Sequence, residues 1–271
     1  MYQKLSDRQI IEIQGTDAIK FLNALCTNKI VLKKLSYTYF LNNQGRYLFD
    51  CFLYCENDET IYLDVSSKTS EPLVKYLSIR KLRSKVNIIN DNNKYQLFYS
   101  KTEPKSDPSI IFAAKDNRNN KLGYRICTET NSALEELITE EDLIKEDKYN
   151  YAIVDGCDDM LYEKSIPIEY NAEEQNALSF NKGCYLGQEV ISRAKYQGVI
   201  RKKIFSLKLN DDTKISQNDS VTNLQGDKLG VITSVYKNKA LALLRHGKLT
   251  EHETLGKDSL LVGNISATIK N

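Results

Sequence analysis

An α+β fold carrying an all-β module at its C-terminal end is what the sequence predicts, on three observations. A short alternating strand near the N-terminus is followed by apolar residues at helical spacing, an antiparallel meander comes next, and from residue 199 onward only strand-like runs and turns remain. A length of 271 residues suits roughly two domains, and 41% apolar with 27% charged residues is ordinary usage for a chain that buries a substantial core. With 38 Lys and Arg against 36 Asp and Glu, the net charge of +2 gives no bulk electrostatic case for nucleic acid or a membrane as obligatory partner.

The elements follow in order. Gln9 to Ile13 alternates as a strand, and Gly15-Thr16-Asp17 caps a helix in which Ala18, Ile19, Leu22, Leu25 and Cys26 recur at helical spacing. Tyr37 to Leu41 and Arg46 to Cys55 are strands joined by the turn-forming Asn42-Asn43-Gln44-Gly45, and Thr60 to Val65 is the third strand of the meander. A helix begins at Ser70 with Pro72 in its first turn and turns Leu73, Tyr76, Leu77 and Leu82 toward the sheet. Tyr95 to Tyr99 is a short strand between polar breaks, which places a domain transition near residue 95. Ile110 to Ala114 and Tyr124 to Cys127 are strands, and Thr139 to Tyr151 is an acid-rich helix whose Glu140, Glu141 and Asp142 suit the positive end of its dipole. Ile200 to Leu209, Leu229 to Tyr236, Ala240 to Leu244 and Leu260 to Ile269 make the β module.

No apolar run approaches the ~18 residues of a membrane helix, and the N-terminus lacks the pattern of a signal peptide, so a soluble protein of the cytoplasm is expected. Six dispersed cysteines without a Cys-x-x-Cys pair are expected to be free thiols, with 26, 51, 55, 127 and 157 in the core. The two histidines, His246 and His252, leave little material for a zinc centre or a catalytic triad. The acidic stretch Glu135 to Asp147 is expected to be a solvated face. So is the positive run Lys182, Arg193, Lys195, Arg201, Lys202 and Lys203, interleaved with Tyr185, Tyr196 and Phe205; direct nucleic-acid binding is not expected.

The densest chemistry lies in Phe180-Asn181-Lys182-Gly183-Cys184-Tyr185-Leu186-Gly187-Gln188-Glu189, followed by Val190-Ile191-Ser192-Arg193. Lys182 and Gly183 set a positive charge beside a permissive backbone, and Cys184 is expected where a helix begins, the usual route to a reactive thiol. Gln188 and Glu189 add an amide and a carboxylate suited to a polar heterocycle or a partner's backbone.

The string KGCYLGQE resembles the signature of the YgfZ family, folate-binding factors for iron–sulfur cluster assembly and repair related to the glycine-cleavage aminomethyltransferases. Gly15 to Leu25 with Thr27-Asn28, Asn43-Gln44-Gly45-Arg46 with Asp50, Leu82 to Val86, Leu122 to Arg125 and Ile166-Pro167 fall in the family's order. The resemblance implies a ring of two ferredoxin-like lobes plus a C-terminal β-barrel around a folate-sized hole. Residues 1–95, with 150–197 returning, would form the first lobe, 96–149 the second and 198–271 the barrel. It further implies a cytoplasmic monomer, with no membrane partner, that binds tetrahydrofolate and serves iron–sulfur proteins or their assembly factors, supporting tRNA modification indirectly.

By that resemblance Cys184 and Asp50 carry the chemistry, while Glu163, Lys182, Gly183, Tyr185, Gly187, Gln188, Glu189 and Arg193 hold the cofactor. The sequence also departs from the aminomethyltransferases. Their paired acids appear here as Phe49-Asp50, and their Asp-Leu-Ser as Lys4-Leu5-Ser6. Glu163 is kept within Leu161 to Pro167, but the neighbouring arginine and glycine are not. A general acid or base needs a titratable group, which Phe49 lacks, so a maintenance factor is the first reading and a folate-dependent one-carbon transferase using Asp50 the alternative.

Overall fold

The structure is a computed structural model and describes residues 1–130, 132–198, 200–210, 215–245 and 260–270. Val199, His246 and His252 lie outside the described residues. The chain opens on a two-residue strand, β1 (Gln3–Lys4), and then builds a five-stranded antiparallel sheet from β2 (Arg8–Gln14), β3 (Leu35–Leu41), β4 (Tyr47–Asn57), β5 (Thr60–Ser66) and β6 (Asn87–Ile89), in the order β3-β4-β5-β2-β6. Helices α1 (Ala18–Asn23) and α2 (Ser70–Lys81) cover one face, where Leu22, Leu73 and Leu77 join Ile11, Ile13, Cys51, Leu53 and Leu63 in one buried cluster.

The other face is buried as well. Tyr37, Tyr39, Phe52, Tyr54 and Tyr62 pack on Leu97, Tyr99, Phe112 and Cys127 of a second sheet, with the Tyr54 and Phe112 rings stacked 4.3 Å apart. Burial on both faces explains why β3 and β4 are almost uninterrupted apolar runs. The second sheet has the order β1-β7-β9-β8, with β7 (Tyr95–Ser100), β8 (Ile110–Lys115) and β9 (Tyr124–Glu129). Strand β1 pairs Gln3 with Tyr99 and Lys4 with Phe98, so the first residues of the chain belong to the second sheet rather than the first.

Helices α3 (Leu143–Asn150), α4 (Gly156–Asp159) and α5 (Gln188–Tyr196) follow. Helix α3 is shorter than the expected Thr139–Tyr151, because the Asp142 side chain accepts from the Lys145 N–H and caps it there, leaving Glu140 and Glu141 outside. Its surface is not wholly solvated either, since Asp147 and Lys148 are buried. Six strands close the barrel in the order β10-β13-β12-β11-β14-β15: β10 (Lys202–Leu209), β11 (Ser220–Asn223), β12 (Lys228–Tyr236), β13 (Lys239–Arg245), β14 (Leu260–Val262) and β15 (Ile265–Ile269). The expected single strand Leu260–Ile269 is split by Gly263, whose φ of +60° allows the turn between β14 and β15.

Buried and partly buried charges join these parts. Arg8 on β2 and Arg125 on β9 both bind Asp64 on β5, the Arg125 Nε at 2.6 Å. Arg118 reaches Asp116 at 2.8 Å and Asp155 at 2.6 Å, and Lys148 on α3 reaches Asp159 at 2.9 Å. The Thr233 hydroxyl of the barrel donates to Asp159 at 3.2 Å.

Burial alone would raise the Asp64 carboxyl, but the Arg125 and Arg8 guanidiniums outweigh it and hold it below the ordinary carboxylate range. Such a carboxyl stabilises the fold fully above its unfolded pKa of about 3.9, and the contribution is lost as pH falls below that value toward the folded pKa. Asp64→Asn is therefore expected to cost about 3–5 kcal/mol in urea unfolding at neutral pH, with the gap to the parent narrowing below about pH 4. A cost under about 1 kcal/mol would show that the pairing does not hold the sheets.

Candidate functional site

The signature segment is laid along the loop that follows α1. Thr27 Oγ1 donates to the Ala177 carbonyl at 2.7 Å, the Ser179 N–H to the Thr27 carbonyl at 3.0 Å, and the Leu186 N–H to the Ala24 carbonyl at 3.1 Å. The same loop protects the open edge of β3, where the Tyr39 N–H donates to Thr27 Oγ1 and the Asn28 amide to the Tyr37 carbonyl. Lys182 ties the two together. Its Nζ donates to the carbonyls of Cys26 at 2.7 Å and Asn28 at 2.8 Å, lies 3.7 Å from Cys26 Sγ, and sits 5.3 Å from the centre of the Tyr185 ring. Partial burial pulls this ammonium below its usual range.

Gly187 is required by geometry. Its φ is +82°, and a Cβ there would stand 2.6 Å from the Asn42 carbonyl oxygen and 3.0 Å from the Gly45 Cα, so the β3–β4 turn is seated on the start of α5. Gln188 opens α5 and its Oε1 accepts from the Tyr185 N–H at 3.3 Å. Tyr185 is buried. Gly183 differs, because nothing among the described residues lies within 4 Å of a Cβ placed on it. Cys184 is exposed and free, and Glu189 with Arg193 forms an exposed ion pair along α5.

Cys184 is therefore not at a helix start. Helix α5 begins at Gln188, after the left-handed turn at Gly187, and the Lys182 ammonium is committed to carbonyls. Of the expected positive run, Lys195 pairs with Glu173, Lys203 with Glu174 and Arg193 with Glu189, while Tyr185 is packed inside.

Asp50 lies on β4 opposite Tyr39 and is 4% exposed. Its two carboxylate oxygens accept from the Tyr37 and Tyr47 hydroxyls, each at 2.8 Å. Gly156 of α4 closes the remaining side, where a Cβ would come 2.4 Å from Asp50 Oδ1. Burial raises the Asp50 carboxyl, against the pull of Arg8. Tyr37, Tyr39 and Phe52 are 0% exposed, and the guanidiniums of Arg125 and Arg118 lie 4.0 and 4.7 Å from the centre of the Phe52 ring. A void large enough for a pterin would leave its lining side chains accessible, and these are not. The side chains around Asp50 close on it, so tetrahydrofolate has no direct access to this carboxylate, while the Tyr39 hydroxyl beside them is buried without a hydrogen-bond partner among the described residues.

Glu163 is on the surface. It holds φ +57° and its N–H donates to the Tyr47 carbonyl at 2.8 Å, while its carboxylate makes no hydrogen bond among the described residues. The sequence did not mark Tyr37, Tyr47 or Gly156 as neighbours of Asp50: the two tyrosines belong to the same β3–β4 hairpin and were within reach of its register, whereas Gly156 is more than a hundred positions away and carries no local signal.

Two sheets packed face to face and ended by a closed barrel define an aminomethyltransferase-type fold. The glycine cleavage system aminomethyltransferase T of Bartonella henselae superposes on 100% of this chain and 84% of that one with a TM-score of 0.74, at 15% identity, a likeness of fold alone. Residues 5–99 match the GCVT N-terminal domain family and residues 201–270 the CAF17 C-terminal beta-barrel domain family. The mouse iron-sulfur cluster assembly factor IBA57, mitochondrial, is 30% identical over 274 residues, covering 89% of this chain and 76% of its own. The human counterpart is 29% identical over 276 residues, covering 91% and 78%. A Pyricularia oryzae homologue is 31% identical over 224 residues, 78% of this chain, which spans 58% of that relative's length. The chain belongs to the family of aminomethyltransferase-fold iron–sulfur cluster assembly factors that includes the IBA57 proteins. The cytoplasmic placement is thereby overturned, since these relatives are mitochondrial proteins.

Within the signature, Gly187→Ala is expected to lower stability by about 1–3 kcal/mol through backbone strain and the clash with Asn42. Gly183→Ala should stay within about 0.5 kcal/mol, and thermal melts of the two variants test the contrast.

Proposed function

We propose that this chain acts in the assembly of iron–sulfur proteins by presenting Cys184 to a partner that carries or receives a cluster. One observation supports this reading above the others: Lys182, Tyr185, Gly187 and Gln188 are occupied in holding the loop, whereas Cys184 is held out on it with its thiol free. A cysteine thiolate is the ordinary ligand of cluster iron, and clusters are usually held by four ligands. Among the described residues no three His, Cys, Asp or Glu side chains converge on a metal position, so Cys184 supplies one ligand and the partner the rest. Glu189 and Arg193 flank the thiol's loop and orient the partner's backbone. Support of tRNA modification follows through the clusters that such enzymes require.

A one-carbon transferase using Asp50 is not favoured, because both carboxylate oxygens are engaged and the group is enclosed. Two variants separate the readings. Cys184→Ser is expected to unfold within about 0.5 kcal/mol of the parent and to abolish maturation of a cluster-dependent enzyme in cells lacking this protein. Asp50→Asn should retain that maturation wherever it folds and should leave methylene-tetrahydrofolate unconsumed, as the parent does. Full maturation with Cys184→Ser, or folate turnover lost only in Asp50→Asn, would overturn the proposal.

A further inference from the structure

The segment Lys75–Lys85, which runs off the C-terminal end of α2, carries five cations and no acid. Two aliphatic side chains project from it: Ile79 is 64% exposed and Leu82 is 87% exposed. Leu82 lies just past Lys81, the last residue of α2, and is turned out to solvent rather than onto the sheet as helical spacing predicts. Leu82 sits at φ +46°, a conformation few residues with a side chain adopt. Arg80 is engaged, its guanidinium 3.7 Å from the centre of the Tyr76 ring. Lys75, Lys81, Arg83 and Lys85 enter no salt bridge among the described residues. Lys81, Ser84 and Lys85 also border a polar surface cleft of about 540 Å³, shared with Gln14, Thr60 and the single acid Glu59.

A lone exposed leucine is ordinary. Two projecting aliphatics within an acid-free run of cations, beside a cleft of headgroup size, are a different matter. A stable protein contact needs roughly 800 Å² on each side, more than two isolated tips offer. A lipid interface needs only that the tips enter while the cations remain at the level of the phosphates. We propose that the end of α2 attaches the protein to an anionic phospholipid surface, with Ile79 and Leu82 inserted and Lys75, Lys81, Arg83 and Lys85 pairing with the headgroups. The attachment is peripheral, as no described helix is long and apolar enough to cross a membrane.

The chain contains no tryptophan, so Leu82→Trp supplies a single fluorescent reporter at the proposed point of insertion. Its emission is expected to shift to the blue with vesicles containing phosphatidylglycerol, not with phosphatidylcholine alone, and to return as salt screens the headgroups. In co-sedimentation, Ile79→Asp with Leu82→Asp, and separately Lys81→Glu with Lys85→Glu, should each weaken binding about tenfold or more while circular dichroism is unchanged. Failure of the parent to sediment with anionic vesicles, or parent-like binding by both double variants, would overturn the proposal. So would the same blue shift with inorganic phosphate or soluble polyglutamate, which would assign the patch to a free anion or an acidic protein.

Discussion

Three buried cations and the partly buried Arg8 meet four carboxylates in the space between the two sheets, α3, α4 and the barrel, and the rest of the fold is arranged to satisfy them. Arg8, Arg118, Arg125 and Lys148 are matched by Asp64, Asp116, Asp155 and Asp159. Removing such groups from water costs several kcal/mol per ion after relaxation, which only well-placed partners offset. The partners come from residues 8 to 159, so no smaller piece of the chain can satisfy the set. The network therefore contributes less to net stability than to uniqueness, since a wrong docking of the sheets leaves a charge buried alone.

That network also determines what the centre of the molecule can be. The guanidiniums of Arg118 and Arg125 need aromatic faces as well as carboxylates, and Phe52 provides one for both. Phe52 shares a sheet face with Asp50, and Tyr37, which donates to Asp50, packs against the same ring at 4.9 Å. The space directly beside Asp50 is filled by Tyr37, Tyr47 and Gly156. Asp50 here is better understood as the acceptor that fixes two tyrosine hydroxyls than as a base awaiting a substrate.

The sequence showed most of what is local. Strand β2, the β3–β4–β5 meander, α1, α2 and the signature segment are legible because side-chain period and turn residues act over a few positions. Strand β1 was invisible, as two residues carry no period. The end of α3 was misplaced because a single side chain, Asp142, chooses the start of the helix among several acids. The ion network was illegible for another reason: Arg118 finds Asp155 and Arg125 finds Asp64 across 37 and 61 positions, and nothing local distinguishes these from surface charges. In the signature, spacing suggested a helix-activated thiol, whereas the left-handed Gly187 delays the helix by four residues beyond Cys184. Only the backbone conformation of one glycine separates the two outcomes.

A fold shared with an aminomethyltransferase at 15% identity does not carry that enzyme's reaction with it. The reaction would need a titratable group open to its substrate, and here the retained acid is enclosed while the adjacent position is Phe49, itself packed edge-on against Tyr76 and Tyr162. What the chain leaves open is at its surface. The turn that seats Gly187 also positions Val190 of α5, so the loop bearing Cys184 is braced between the end of α1 and the β3–β4 turn. A thiol on such a loop is rigidly placed yet accessible, which suits a group that must meet a partner in one orientation and release it. The enclosed Asp50 and the open cysteine are thus two results of one arrangement: the tyrosines and the ion network occupy the space beside Asp50, while the braced loop carries Cys184 on the outside.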